Sequence, residues 1–205
     1  MGPSQAKAAG RPRVSSRTAI EQTAIHLFLS EGYEEVTIER IAAACGVGRA
    51  TIFRYFDSKS DVVFSAFDAV LETMAASLRS TSPRTPVTRA VAICIVESTR
   101  QAVENPVWLD RFVLLDTSPG LRAGATSHWE RWTEVIETYL QERYSWPAGD
   151  VRPAAFAGAL RGAYVALLRR PTNVQADPAA FVADLEAALE PISAALKLLL
   201  RPLPH

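Results

Sequence analysis

Apolar residues recur along this chain at spacings of three and four, and no stretch alternates apolar with polar positions over a strand's length. The pattern predicts an all-α chain of about nine helices, with prolines and glycines marking the breaks. The first spans roughly Ser15 to Glu31 on Ile20, Ala24, Leu27 and Phe28, and stops at Gly32. Two short helices follow. One begins at Ile38 behind Thr37, whose hydroxyl is a good acceptor for an orphan amide proton. Ile38, Ile41, Ala42 and Cys45 form its inner face. Gly46 supplies the positive φ of a sharp turn. The next helix opens at Gly48 and turns Ile52 and Phe56 inward. Ser58, with Asp61 three residues on, is expected to cap a long fourth helix that carries Val62, Val63, Phe67, Val70, Leu71 and Met74 to just before Pro83. Five more are expected, over Pro86 to Glu104, Pro106 to Leu115, Leu121 to Tyr144, Arg152 to Arg169 and Pro178 to Leu200. Pro191 should kink or break the last of these.

The two short helices have the layout of a helix-turn-helix. Glu39 in the first turn favours the positive end of its helix dipole. The second helix presents Arg49, Thr51, Arg54 and Tyr55 on its polar side. Arginine reads guanine edges, and Thr and Tyr hydroxyls reach phosphates, so these groups suit an element lying in a major groove.

These residues resemble the DNA-binding domain of the TetR (tetracycline-repressor) family. The resemblance rests on Ile20, Ala24, Leu27 and Phe28, then Gly32-Tyr33, Thr37-Ile38, Ile41-Ala42, Gly46-Val47, Thr51, Phe53-Arg54-Tyr55-Phe56 and Ser58-Lys59, in register from Thr18 to Leu71. Two positions depart from the family pattern. Gly48 stands where Ser is usual, and Arg54 where many members have an aromatic. The resemblance implies a basic, disordered arm over 1–14, a helix-turn-helix domain over 15–60 and a ligand-binding and dimerisation domain over 61–202. It implies a homodimer on double-stranded operator DNA, with its two reading helices about 34 Å apart. On that footing Arg49 is the candidate for a bidentate guanine contact. Thr51, Tyr55 and Lys59 would hold phosphates, with Thr37 joining from the start of its helix. Arg54 would read bases or phosphates, Phe53 would lie against a thymine methyl or a sugar, and Ala50 would let the helix sit deep. A ligand entering the second domain would tilt the fourth helix and release the DNA.

In the family the last two helices pair with their copies, and this chain fits that use. Ala155, Gly158, Ala159, Gly162, Ala163 and Ala166 leave one side of the eighth helix nearly smooth. The residues expected at the dimer contact are Phe156, Leu160, Ala163 and Leu167 with Phe181, Leu185, Leu189 and Ile192; the alternative is that both helices are buried within one monomer. The effector is expected among Trp108, Phe112, Trp129, Trp132 and Tyr164, with Arg100 and neighbouring arginines as cations for an amphipathic, anionic molecule. The stretch from Arg111 to Trp129 also resembles, more loosely, the C-terminal domain of actinobacterial family members that take acyl-CoA-like ligands. Read residue by residue, the aromatics are equally ordinary core and the arginines surface charges.

Composition narrows the alternatives. Of 205 residues 48% are hydrophobic, enough for one large domain or two modest ones. No apolar run approaches the ~20 residues of a membrane span, and the polar N-terminus lacks a signal-peptide core, so a cytoplasmic protein without a membrane partner is expected. Net charge is zero, yet the first twenty residues hold Lys7, Arg11, Arg13 and Arg17 and no carboxylate. That arm is either a phosphate contact or a solvated tail. His26, His128 and His205 lie far apart, no glycine-rich phosphate loop is present, and neither a metal, a cofactor nor catalysis is expected. A DNA-binding regulator without an effector stays open. A thiol sensor at Cys45 or Cys94 is disfavoured, because both fall on apolar faces.

Overall fold

The computed structural model describes residues 16–147, 149–170 and 177–200. Among these it has nine α-helices and no strand: α1 (Arg17–Glu31), α2 (Ile38–Cys45), α3 (Arg49–Phe53), α4 (Asp61–Ser80), α5 (Val87–Ala102), α6 (Trp108–Thr117), α7 (Arg122–Tyr144), α8 (Arg152–Leu168) and α9 (Pro178–Leu196). The basic arm over 1–14 lies outside the described residues. The helix ends follow local chemistry. The Ser16 hydroxyl accepts from the Ala19 amide at 3.2 Å, and Thr37 does the same for Arg40 at 3.2 Å. Gly46 closes α2 at φ 68°, ψ 30°, as a left-handed cap should. The cap ahead of α4 is staggered from its expected form. Ser58 Oγ accepts from the Asp61 amide at 3.1 Å, but the Asp61 carboxylate returns to Asp57 N at 3.0 Å, so regular helix begins only at Asp61.

Two other expectations shift. α6 starts at Trp108 rather than Pro106, because Asn105 Oδ1 accepts from Val107 N at 3.2 Å and holds the chain in a turn first. α9 runs unbroken through Pro191. Proline there removes a bond to the Ala187 carbonyl, and both residues are exposed, so the freed oxygen is on the solvent side, where the loss costs least.

The first three helices form a head. Ile20, Ala24 and Phe28 of α1, Ile41 and Cys45 of α2, and Ile52 and Phe56 around α3 are all buried. At five residues α3 is too short to persist alone and is held by these two anchors. α4 leaves the head with Val62 and Val63 and enters the body with Phe67, Leu71, Met74 and Leu78. There the helices close a ring: α4 packs on α5, α5 on α9, α9 on α8, α8 on α7 and α7 back on α4. α6 lies against α7 and also touches α1 of the head. Where α7 crosses α4, Gly124 lets the backbones approach; a Cβ there would fall 2.6 Å from the Phe64 ring. Head and body share one continuous hydrophobic core.

Candidate nucleic-acid interface and effector core

Burial of Ile52 and Phe56 fixes which side of α3 meets solvent. Arg49, Ala50, Phe53 and Arg54 are exposed, and Thr51 and Tyr55 half-buried. Phe53 is 44% exposed, an aromatic surface that a groove wall would cover. The cations on this face already have neighbours. Arg49 Nη1 lies 2.8 Å from Glu39 Oε1, and the guanidinium sits 5.8 Å from the Phe53 ring centroid. Arg54 stands 4.9 Å over the Tyr55 ring and donates from Nη2 to its hydroxyl at 3.2 Å.

Two residues expected at phosphates are engaged inside the head. Lys59 Nζ donates to the Tyr33 carbonyl at 2.7 Å and the Glu34 carbonyl at 3.2 Å, and lies 4.3 Å from the Tyr33 ring centroid. It pins the loop before α2 to the approach of α4, with two of its three protons committed. Thr37 accepts from Arg40 N and so caps α2. The Glu39 carboxyl is held below its usual range, first by its own backbone amide, with Thr37 and Arg49 adding to the effect. Over residues 16–60, five cations (Arg17, Arg40, Arg49, Arg54, Lys59) face six carboxylates (Glu21, Glu31, Glu34, Glu35, Glu39, Asp57). A head with that balance has little long-range attraction for phosphates, so its geometry has to carry recognition.

Five of the six expected effector residues come together in the middle of the body. Ring centroids lie 5.6 Å apart for Trp108 and Phe112, 6.0 Å for Phe112 and Trp129, 6.1 Å for Trp129 and Trp132, and 6.0 Å for Trp129 and Tyr164. Phe67 joins from α4, and His128 stacks on it at 4.4 Å. The sixth, Arg100, is not there. It is exposed on α5, 3.4 Å from Glu97 and 4.0 Å from Glu186. Other arginines that the sequence interleaves with the aromatics also meet carboxylates: Arg131 pairs with Asp68 at 2.6 Å, and Arg111, 0% exposed, pairs with Glu21 of α1. The sequence could not show those partners, because the carboxylates lie on distant helices. The Tyr164 hydroxyl shares a 3.1 Å hydrogen bond with Thr99 Oγ1, and burial pushes its pKa up to about 12. Open clefts flank the rings. One of about 380 Å³ lies against Phe112, Leu109, Val113 and Leu168, and one of about 240 Å³ against Trp108, Ala66, Val70 and Ala102.

His128 is 6% exposed and its Nδ1 has no hydrogen-bond partner. Burial pulls its pKa down from 6.5 to about 4, with Asp68 opposing. The unfolded chain therefore binds this proton near pH 6.5 and the native chain only near 4. Stability should be full above the upper value and fall as pH drops through this window, by roughly 3 kcal/mol at most. Urea midpoints compared between wild type and His128→Gln should diverge as pH is lowered; parallel curves would mean that His128 is protonated in the native state.

Six of the eight residues expected at the dimer contact, Phe156, Leu160 and Leu167 of α8 and Phe181, Leu185 and Leu189 of α9, are buried in the monomer's own core; Ala163 and Ile192 are half-buried. Side chains that already fill the ring offer a partner no surface. The small residues that α8 leaves in water are Ala154, Ala155, Gly158, Ala159, Gly162 and Ala166, beside the exposed Arg161, with Ala180, Ala183 and Ala187 exposed on α9. A Cβ added at Gly158 or Gly162 meets nothing within 4 Å. Cys45 and Cys94 are buried thiols, and burial pushes Cys94 up to about 11.

A short solvent-facing helix set behind a glycine turn, on a head that leans on an all-helical body, defines a helix-turn-helix transcriptional regulator. Comparison with known proteins agrees. Residues 20–66 match the model of the bacterial regulatory proteins of the tetR family, and residues 81–197 match the MftR C-terminal domain. The chain belongs to the TetR family. A candidate mycofactocin biosynthesis transcriptional regulator, MftR of Mycobacterium tuberculosis, is 27% identical over 188 residues, 91% of this chain and 94% of its own length. The regulator TcmR of Streptomyces glaucescens is 31% identical over 115 residues, 53% of this chain and 51% of its own. Among solved structures, the SmeT–triclosan complex has a TM-score of 0.63 at 17% identity, over 87% of this chain and 90% of that one. NalD, the secondary repressor of the MexAB-OprM multidrug efflux pump in Pseudomonas aeruginosa, has 0.61 at 21%, over 86% and 94%. These relatives are transcriptional regulators rather than enzymes. No described helix is long and apolar enough to cross a membrane.

Proposed function

We propose that this protein is a homodimeric, cytoplasmic repressor that holds double-stranded operator DNA with one α3 per half-site and releases it when a small amphipathic molecule, acyl-type among the candidates, enters the aromatic core. The head over 15–60 reads DNA, and 61–202 binds effector and partner. The carrying observation is the face of α3. A five-residue helix buries only Ile52 and turns Arg49, Ala50 and Phe53 to water. Such a helix contributes too little core to exist for packing; what it presents is a cation, a flat aromatic and a small residue that permits close approach. Thr51, Arg54 and Tyr55 border that face as phosphate or base contacts, while Lys59 and Thr37 serve mainly by holding α2 and its loop in place. Dimers of TetR-family regulators on operator DNA, and the small molecule in the SmeT–triclosan complex, support the same reading. Because Arg100, Arg111 and Arg131 are paired with carboxylates, the effector's apolar part would occupy Trp108, Phe112, Trp129, Trp132 and Tyr164, and any charged group would remain at the mouth. Since α6 carries Trp108 and Phe112 and touches α1, a ligand that spreads these rings moves the head.

The experiment is selection of bound sequences from duplexes with a randomised core, followed by titration of the selected duplex. Arg49→Ala should lose about 1–3 kcal/mol of discrimination at one base pair per half-site, and retain it elsewhere. A variant with undiminished discrimination would remove Arg49 from base reading.

A further inference from the structure

Glu39, an acidic residue on a face meant for a polyanion, has no role in the reading above. Its carboxylate nonetheless reaches across the turn, where Oε1 meets Arg49 Nη1 at 2.8 Å. On its other side the Arg49 guanidinium faces the Phe53 ring at 5.8 Å. A three-member chain, Glu39–Arg49–Phe53, thus runs from the first turn of one helix to the reading face of the next.

We infer that Glu39 is a specificity-determining residue of the DNA interface: it fixes the direction of the Arg49 fork toward one base edge and keeps that arginine off phosphates. The side chains of Arg49 and Glu39 are 61% and 55% exposed, so in the free protein the pair contributes little to stability. Its consequence lies in binding. An unrestrained arginine on a helix entering the groove finds phosphate oxygens on every sequence, and each such contact raises non-specific affinity. An arginine held by a carboxylate loses less side-chain entropy when it docks on guanine, because it is already ordered. The carboxylate repels the backbone as well, which penalises every register in which Arg49 misses its base. The neighbouring Arg40 does not substitute, being held by Glu31 through Nε at 3.1 Å and Nη2 at 2.5 Å.

This inference rests on the proposal that α3 reads DNA, and the test separates the two. Wild type, Glu39→Ala, Arg49→Ala and the double variant are each taken through selection from a randomised duplex pool. Their affinity for the selected duplex and for poly(dI-dC) is then measured by fluorescence anisotropy. Glu39→Ala should bind poly(dI-dC) more tightly, lower the specific-to-non-specific ratio about tenfold, and blur the selected motif at the base pair that Arg49→Ala also blurs. In the Arg49→Ala background it should blur nothing further, since the two residues act as a unit. A Glu39→Ala motif as sharp as wild type at that base pair overturns the inference. So does a loss equal on all duplexes, which is what a weakened α2 would give. If wild type itself selects no motif, it is the DNA-reading proposal that fails.

Discussion

Replacing Glu21 by alanine is expected to lower the unfolding free energy by about 3–5 kcal/mol, a large share of what holds such a domain together. Glu21 sits on the head and Arg111 on the body, and the two meet with both side chains buried. Arg111 Nη1 also donates to the Val107 carbonyl at 3.0 Å, while its Nε has no hydrogen-bond partner. Burial pulls this guanidinium below its usual pKa range, and the Glu21 carboxylate is what chiefly opposes that shift. Glu21 Oε2 accepts from Asn105 Nδ2 at 2.9 Å, so the same carboxylate fixes the turn into α6. Without it the chain must bury an uncompensated cation or open the seam between α1 and α6. The double variant E21M/R111M buries no charge and should recover most of the loss, because an apolar pair of similar volume avoids the desolvation of both ions. Urea denaturation of the three proteins decides the matter. A single variant within about 0.5 kcal/mol of wild type would mean that water reaches the pair.

That pair also marks where reading the sequence stopped short. The signal was present: Glu21 falls among Ile20, Ala24, Ile25 and Phe28 on the buried stripe of α1, and Arg111 among Trp108, Phe112 and Leu115 on that of α6. A charge in an apolar stripe asks for a partner, but which partner is a matter of tertiary contact across ninety residues. Local chemistry fared better. The helix boundaries, Gly46 as a left-handed cap, the Thr37 cap and the inward Ile52 and Phe56 are decided within a few residues of themselves, so spacing and side-chain type suffice. The clustering of Trp108, Phe112, Trp129, Trp132 and Tyr164 was legible for a different reason: each lies on an inward face of its helix, and inward faces converge. Arg100 shares no such face and was grouped with them by proximity in sequence alone. The bulky residues of α8 and α9 lie in the monomer's own core because large apolar side chains satisfy whichever core is nearer, and here the ring of α5, α7, α8 and α9 is nearer.

Gly162→Arg should separate the two uses of α8. The position is exposed and an added Cβ meets no atom within 4 Å, so the monomer accepts the side chain. It should even gain about 1 kcal/mol, since glycine is a poor residue in a helix interior. The same arginine would stand in the middle of the stripe of Ala155, Gly158, Ala159 and Ala166, where the proposed approach of a second α8 needs small side chains. Two like charges across a two-fold axis would face each other there. The expected result is a well-folded monomer by sedimentation equilibrium, with thermal stability at or above that of an isolated wild-type protomer. Its affinity for the selected duplex should fall by about 10²–10⁴, because the second half-site is no longer bound as an intramolecular event. Leu160→Ala, two residues away on the opposite face and 0% exposed, should do the reverse: lose about 2–5 kcal/mol of stability while leaving the exposed stripe unchanged. If Gly162→Arg remained dimeric and bound the duplex undiminished, the partner would have to dock elsewhere. The exposed alanines of α8 would then need another explanation than close approach between copies.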